Sequence, residues 1–249
     1  MEQPALPKTE EWLAKLATDG FVVLPAVFTP KQAEEILFSL ERAFQEQADE
    51  VAIRSDAGHV YAARNILALW PGAATVWRQA PLPELLGALL GAQFGLVRGL
   101  YFDKPPDRTW ALPWHKDLTI AVREHRRPSP SFTKPTLKAG VPHVEAPQKV
   151  LEGMVAARIH LDAVSPKNGP LKVIPGSHHT GKMLKLGDTP PHSILVNRGD
   201  VLLIRPLVAH SSGQSHADTR EHRRILHLEF AASAELPDGY RWHDFRPGQ

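Results

Sequence analysis

The chain has 249 residues, with 29 basic and 27 acidic side chains and a formal net charge of +2. This length suffices for one large domain with a substantial core, and the balanced charge gives no reason to expect a nucleic-acid partner. The absence of cysteine excludes disulfides, iron–sulfur clusters and thiolate metal sites, and favours a cytoplasmic location. The start of the sequence shows no signal-peptide pattern, and the apolar stretch 82–102 is interrupted by Pro83, Glu84 and Arg98, so no membrane partner is expected.

The first third of the chain has helical patterns. Apolar spacing from Thr9 to Ala17 predicts a short helix that ends at Gly20, and residues 21–24 predict a strand. Next, Thr29-Pro30-Lys31-Gln32 forms a capping box with proline at the first helical position, and it precedes an amphipathic helix. Residues 61–91 look mostly helical, with interruptions at prolines.

Short strands separated by Gly/Pro turns dominate the rest. They are predicted at 94–103, 117–122, 154–164, 171–174, 193–196, 201–204 and 223–231. Residues 123–151 are rich in proline and lack periodicity, which favours a lid. We therefore predict one mainly β domain over 1–249, an antiparallel sandwich or barrel at 94–233 with mostly helical support from 1–93.

The motif H-x-D occurs twice, as His115-Lys116-Asp117 and as His160-Leu161-Asp162. Side chains two residues apart on a strand point to the same face, so each copy offers an imidazole and a carboxylate together. With one more histidine, either copy would complete the 2-His-1-carboxylate triad of non-haem Fe(II) oxygenases. Candidates for that histidine are His178, His179, His210, His216, His222 and His227.

Four segments together resemble the phytanoyl-CoA dioxygenase family of Fe(II)/2-oxoglutarate-dependent oxygenases. They are residues 19–25, 102–117, 168–178 and 205–212, and their order and spacing match the family. The resemblance implies a double-stranded β-helix (jelly-roll, cupin-like) core backed by N-terminal helices. It also implies that His115, Asp117 and His210 bind Fe(II). His160 and Asp162 would then line the polar inner face of the barrel with Arg158.

The resemblance also implies a site for the co-substrate 2-oxoglutarate. A cation should hold its distal carboxylate, and Arg223 has the family's spacing to the aromatic Phe230. Arg224 is the rival. Alternation assigns Arg223 to the more polar face of the last strand, with Ile225, His227 and Glu229, and assigns Arg224 to the helix-packing face. Ser212 and Arg64 are further predicted co-substrate contacts.

The implied activity is a dioxygenase reaction with O₂ on a small or medium organic substrate, either acyl-CoA-like or natural-product-like. An unactivated C–H bond would be hydroxylated, with release of succinate and CO₂; the carboxylate of Asp117 favours this outcome over halogenation. Arg123, Arg126, Arg127 and Lys134 would supply a basic mouth for a CoA ester. Alternatives are a zinc-dependent hydrolase and a catalytically degenerate jelly-roll binding protein.

Overall fold

Two antiparallel sheets face each other and form a jelly-roll in the computed structural model, which describes residues 9–48, 50–56, 59–125 and 128–248. The helices are α1 Thr9–Thr18, α2 Pro30–Glu46, α3 Ile66–Leu69, α4 Leu82–Leu90 and α5 Gln148–Glu152. Short 3₁₀ helices lie at Pro71–Ala74, Val76–Arg78, Ser177–Thr180 and Pro237–Gly239. The capping box of α2 forms as predicted, since Gln32 N lies 3.2 Å from Thr29 Oγ1 and Thr29 N 2.8 Å from Gln32 Oε1.

The strands in chain order are β1 Phe21–Leu24, β2 Ile53–Asp56, β3 His59–Ala63, β4 Gly95–Asp103, β5 Leu112–His115, β6 Thr119–Ala121, β7 Thr133–Lys138, β8 Val141–Glu145, β9 Met154–His160, β10 Leu171–Val173, β11 His192–Ser193, β12 Val201–Ile204, β13 His210–Ser212, β14 Arg224–Ala231 and β15 Arg246–Pro247. The large sheet has the order β1-β12-β9-β14-β4-β3-β2, with β15 on β4, and the small sheet has the order β11-β10-β13-β5. A third sheet, β6-β8-β7, is separate in its pairing.

The helices cover the outer face of the large sheet. Leu226, Leu228 and Phe230 of β14 belong to the same buried cluster as Leu16 of α1 and Leu40 of α2. The alternate residues of β14 point the other way, into the space between the sheets. The predicted fold class, a mainly β jelly-roll backed by helices, is therefore confirmed. Across the described ranges, no helix combines the length and apolarity that a membrane span requires.

Some boundaries differ from the sequence predictions. Residues 61–63 belong to β3 and not to a helix, because they pair with β4 through contacts that the local pattern does not reveal. The segment 123–151 is not structureless, since β7 and β8 form a hairpin that pairs with β6, and α5 follows. The strand predicted over 154–164 ends at His160. Arg126 and Arg127 lie outside the described residues.

Candidate metal centre

The three predicted iron ligands meet at one point of the small sheet. His210 on β13 pairs directly with His115 on β5, and Asp117 follows β5 with its backbone N–H donated to Pro206 O at 2.9 Å. Asp117 Oδ1 lies 4.0 Å from His115 Nε2, and Asp117 Oδ2 lies 3.5 Å from His210 Nε2. The candidate ligand atoms are all within 4.8 Å of one another, so one ion can reach all three.

Both imidazoles are held with Nε2 towards the carboxylate. His115 Nδ1 lies 2.7 Å from Pro113 O, and His210 Nδ1 lies 2.9 Å from Val208 O. A carbonyl can only accept, so Nδ1 carries the proton and donates it. The lone pair of each ring therefore remains on Nε2, which is the arrangement that a metal ligand needs.

The electrostatics favour the ligand form of these groups at neutral pH. Burial by itself would raise the pKa of Asp117, but His210, His227, His115 and Arg98 outweigh it and hold the pKa at about 2. Burial lowers the pKa of His210 and outweighs the opposing pull of Asp117. An ionised carboxylate beside a neutral imidazole is the protonation state in which a divalent metal binds.

The centre opens into a cavity of about 700 Å³ between the two sheets. The Asp117 side chain keeps 39% of its surface accessible, and that surface faces the cavity. The large sheet lines the opposite side with Arg158, Arg223, His227 and Glu229. Three ligands on one side and open space on the other fit a metal that also binds exogenous ligands.

Arg223 and Ser212 bring unpaired donors to the same cavity. Arg223 extends the ladder just before β14 through two backbone hydrogen bonds with Lys104, each of 3.2 Å. Within the described ranges, neither Arg223 Nε nor Ser212 Oγ has a hydrogen-bond partner, although both are buried. Burial and nearby Arg158 lower the pKa of Arg223 to about 9, so its guanidinium stays charged at neutral pH. Two unsatisfied donors, one of them charged, fit a carboxylate.

The rival arginine is engaged elsewhere. Arg224 Nε lies 2.7 Å from Asp162 Oδ2, and its Nη2 lies 2.8 Å from Asp162 Oδ1. Its Nη1 lies 3.4 Å from Glu41 of α2. The alternation prediction for β14 is thus confirmed, because Arg224 faces the helices and Arg223 faces the cavity.

Arg64 also lines the cavity, at a different place. Burial lowers its pKa, and the charges that act on it are those of Arg98, Arg54 and Glu229. Asn65 beside it donates through Nδ2 to Ala139 O at 3.2 Å. Ala139 is at the tip of the β7–β8 hairpin and lines the cavity as well. The segment predicted as a lid therefore reaches the cavity at its tip.

The second H-x-D copy does not form a comparable cluster with any other residue that the structure describes. Asp162 is bound by Arg224 and, at 3.2 Å, by Arg198, on the helix-facing side. His160 is buried with its Nδ1 3.3 Å from Asp200 O. The prediction of a shared inner face is right for Arg158, which lines the cavity, and wrong for Asp162, because the alternation stops where β9 ends.

Of the remaining histidine candidates, His179 and His216 are exposed, and the other three have hydrogen-bond partners elsewhere. His178 Nε2 lies 3.1 Å from Ala17 O, His227 Nε2 lies 3.1 Å from Glu229 Oε1, and His222 bonds Asp103. Sequence reasoning did not identify the buried ion pair between Arg98 on β4 and Glu229 on β14. Its only sequence signal was Arg98 within an apolar run, and that signal names no partner. Nor was Arg158 recognised as a second cation beside Arg223.

Comparison with known proteins adds a family and a fold. The sequence profile described as phytanoyl-CoA dioxygenase (PhyH) matches residues 16–224. Two curated relatives are each 26% identical to this chain: L-proline trans-4-hydroxylase of Streptomyces griseoviridis over 163 residues, and ectoine dioxygenase of Sphingopyxis alaskensis over 191 residues. These alignments cover 66% and 74% of this chain but 53% and 54% of the relatives, so the chain spans about half of their length.

The solved structure of EctD from S. alaskensis with 2-oxoglutarate and 5-hydroxyectoine has a TM-score of 0.68 against this chain. The superposition covers 93% of this chain and 78% of that one, at 18% sequence identity. At this level of identity, the likeness concerns the fold.

Proposed function

This chain belongs to the phytanoyl-CoA dioxygenase family, and from that premise we propose that it is an Fe(II)- and 2-oxoglutarate-dependent dioxygenase. In this proposal it hydroxylates an unactivated C–H bond of a small or medium organic substrate, with release of succinate and CO₂. One observation carries the proposal: the His115, Asp117 and His210 cluster shares a cavity with the unpaired donors of Arg223 and Ser212.

His115, Asp117 and His210 would hold the iron. The bound iron, with 2-oxoglutarate and O₂, supplies the oxidising chemistry, and the protein supplies binding, orientation and exclusion of water. The hydrogen bonds from the two Nδ1 atoms to Pro113 O and Val208 O would keep both rings aimed at the ion. Their lengths of 2.7 and 2.9 Å support rings that are oriented before the metal arrives.

Arg223 and Ser212 would bind the distal carboxylate of 2-oxoglutarate. Arginine can meet a carboxylate with two parallel N–H donors, and the buried position excludes water that would otherwise compete. Arg64 is our third predicted contact. Its charged neighbours Arg98 and Glu229 differ from those of Arg223, so its contribution should be measured separately.

The charge of the cavity favours an anionic substrate within the natural-product-like class. Six arginines line it: Arg54, Arg64, Arg98, Arg108, Arg158 and Arg223. Arg98 pairs with Glu229 and Arg108 pairs with Asp56, and Asp117 is the other carboxylate in the lining, so the arginines remain in excess. The relative named for L-proline acts on a carboxylate-bearing molecule, which agrees with this preference. A CoA ester has less support, because Arg123 and Lys134 are not among the lining residues and Lys134 pairs with Glu145 at 2.7 Å.

The test is an anaerobic titration of apo-protein with Fe(II) and 2-oxoglutarate, followed by the weak visible charge-transfer band of the ternary complex. We expect a band that needs both components and is lost in His210→Ala. Coupled succinate release should then be screened with carboxylate-bearing substrates. Tight Zn²⁺ binding without a band would instead support the hydrolase alternative, and an absence of metal binding would support a degenerate binding protein.

A cytoplasmic location, suggested by the absence of cysteine, stays a prediction.

A further inference from the structure

A second group of two histidines and one carboxylate lies on the other side of the large sheet. It consists of His59 at the start of β3, Asp103 at the end of β4 and His222 shortly before β14. His222 Nδ1 lies 2.9 Å from Asp103 Oδ2, and His59 Nε2 lies 3.6 Å from the same oxygen. As in the first cluster, the candidate ligand atoms are all within 4.8 Å of one another.

The register separates this group from the catalytic cavity. Asp103 is directly opposite Arg224 in the β4–β14 ladder, so the two side chains are on the same, helix-facing side of the sheet. Phe102, the next residue, lines the catalytic cavity on the other side. An ion bound by Asp103 would therefore be in a different place from one bound by Asp117.

The carboxylate of Asp103 is buried and depends on imidazoles for its partners. Its side chain is 2% exposed, and its hydrogen bonds and ion pairs within the described residues are those with His59 and His222. The nearby guanidinium of Arg224 is turned to Asp162 instead. Buried carboxylates are normally paired with a full positive charge or coordinate a metal. Together with the two imidazoles, this buried carboxylate offers three ligand atoms to a divalent cation.

The distances and the access suit a tetrahedral ion. Bonds of about 2.0–2.1 Å to nitrogen and oxygen place tetrahedral ligands roughly 3.3–3.4 Å apart, between the two separations seen here. His59 has 59% of its side chain exposed and His222 has 28%, so an ion can enter from solvent. A cavity of about 350 Å³, lined by His59, Asp103, Glu41 and Gln45, adjoins the group and leaves room for a water as the fourth ligand.

We propose that His59, Asp103 and His222 form a second metal site, which takes a divalent ion of the zinc type and is independent of the His115, Asp117 and His210 centre. The three ligands come from the β2–β3 hairpin, the end of β4 and the loop before β14. A bound ion therefore cross-links three segments that are distant in sequence, and it should stabilise the folded chain by mass action.

The test uses the full chain carrying His115→Ala and His210→Ala, which removes the first site. Titration with Co²⁺ alone, followed by its visible d–d absorption, should show one equivalent bound with the strong absorption of tetrahedral coordination. Adding His59→Ala or His222→Ala should weaken this binding by more than about tenfold. His216→Ala is the matched control, because His216 is exposed in the same loop and outside the cluster, and it should leave binding unchanged.

His59 is exposed, so its removal should not prevent folding, and circular dichroism of each variant checks this. Zn²⁺ should displace Co²⁺ and raise the melting temperature of the His115→Ala/His210→Ala chain but not of the chain that also lacks His59. The proposal is overturned if that double variant binds no Co²⁺. It is equally overturned if binding persists unchanged in folded His59→Ala and His222→Ala variants.

Discussion

Replacing Arg223 by methionine tests the co-substrate site most directly. Methionine is unbranched and apolar, so it fills much of the same space without the charge or the donors. The Arg223 side chain is buried with its Nε unpaired among the described residues, and Arg158 rather than a carboxylate is its strongest charged neighbour. Removing it should therefore cost the protein little stability while removing the cation that we propose binds 2-oxoglutarate.

The expected loss of 2-oxoglutarate affinity follows from the burial of Arg223. A hydrogen bond to a charged group contributes about 1.5–3 kcal/mol, and losing one partner of a buried charged pair costs roughly 2–5 kcal/mol. A loss of about 3 kcal/mol corresponds to a dissociation constant raised by about a hundredfold. We expect this increase for 2-oxoglutarate in Arg223→Met, measured anaerobically with Fe(II) by the charge-transfer band. The dissociation constant of Arg223→Lys should lie between those of the unmodified chain and Arg223→Met, because lysine keeps the charge but lacks the planar guanidinium.

Arg224→Met is the matched control for this measurement. It removes the bidentate pair with Asp162 and should lower the free energy of unfolding by about 1–3 kcal/mol, with little effect on 2-oxoglutarate binding. The reverse pattern, with weakened binding in Arg224→Met and normal binding in Arg223→Met, would refute the assignment of faces on β14.

Three other changes test the centre and the fold. Asp117→Ala should weaken Fe(II) binding by more than about a hundredfold, as measured by metal titration of the folded variant. It should also lower the apo melting temperature at neutral pH, because a carboxylate whose pKa is held at about 2 stabilises the folded chain. Burial and nearby Arg158 lower the pKa of His160 to about 3, so below about pH 6.5 the unfolded chain takes up a proton that the folded chain does not. The free energy of unfolding should thus decrease as the pH is lowered, by up to about 1.4 kcal/mol per pH unit. Urea unfolding at pH 7 and pH 5 measures this decrease, which should be about 2 kcal/mol smaller in His160→Gln than in the unmodified chain. Gly199→Ala should cost more than about 2 kcal/mol in the same assay, because φ is +92° and a Cβ would lie 2.0 Å from Phe28 O, whereas Gly187→Ala, at φ +59° in open space, should cost about 1 kcal/mol.

Capping motifs and hydrophobic periodicity predicted the elements that depend on residues close together in the chain. The helix α2 begins where its capping box predicts, and the strand at residues 21–24 has the predicted bounds. Period-two alternation predicted which face of β14 packs on the helices. It also separated Arg223 from Arg224, because on a regular strand a shift by one residue reverses the direction of the side chain.

These sequence patterns did not predict pairing between strands or side chains that are distant in the chain. Residues 61–63 form a strand because β4 is beside them, and the β7–β8 hairpin forms within a proline-rich segment that has no periodicity. The Arg98–Glu229 pair joins two strands that are distant in the chain. For the same reason, the sequence pattern could not group His59 and Asp103 with His222, and the resemblance to a family was needed to choose between the two H-x-D copies.

The two sheets contribute opposite charge to the cavity between them. The small sheet brings the carboxylate and imidazoles of the metal centre, and the large sheet brings Arg158 and Arg223, which repel each other. Two buried cations side by side are unfavourable unless an anion joins them, because desolvation and mutual repulsion both act against the charged forms. The helices that bury the other face of β14 hold Arg223 in this position. The fold therefore places two neighbouring buried cations in the cavity that also holds the metal centre. In our proposal, a dicarboxylate that binds the metal at one end would pair with them at the other.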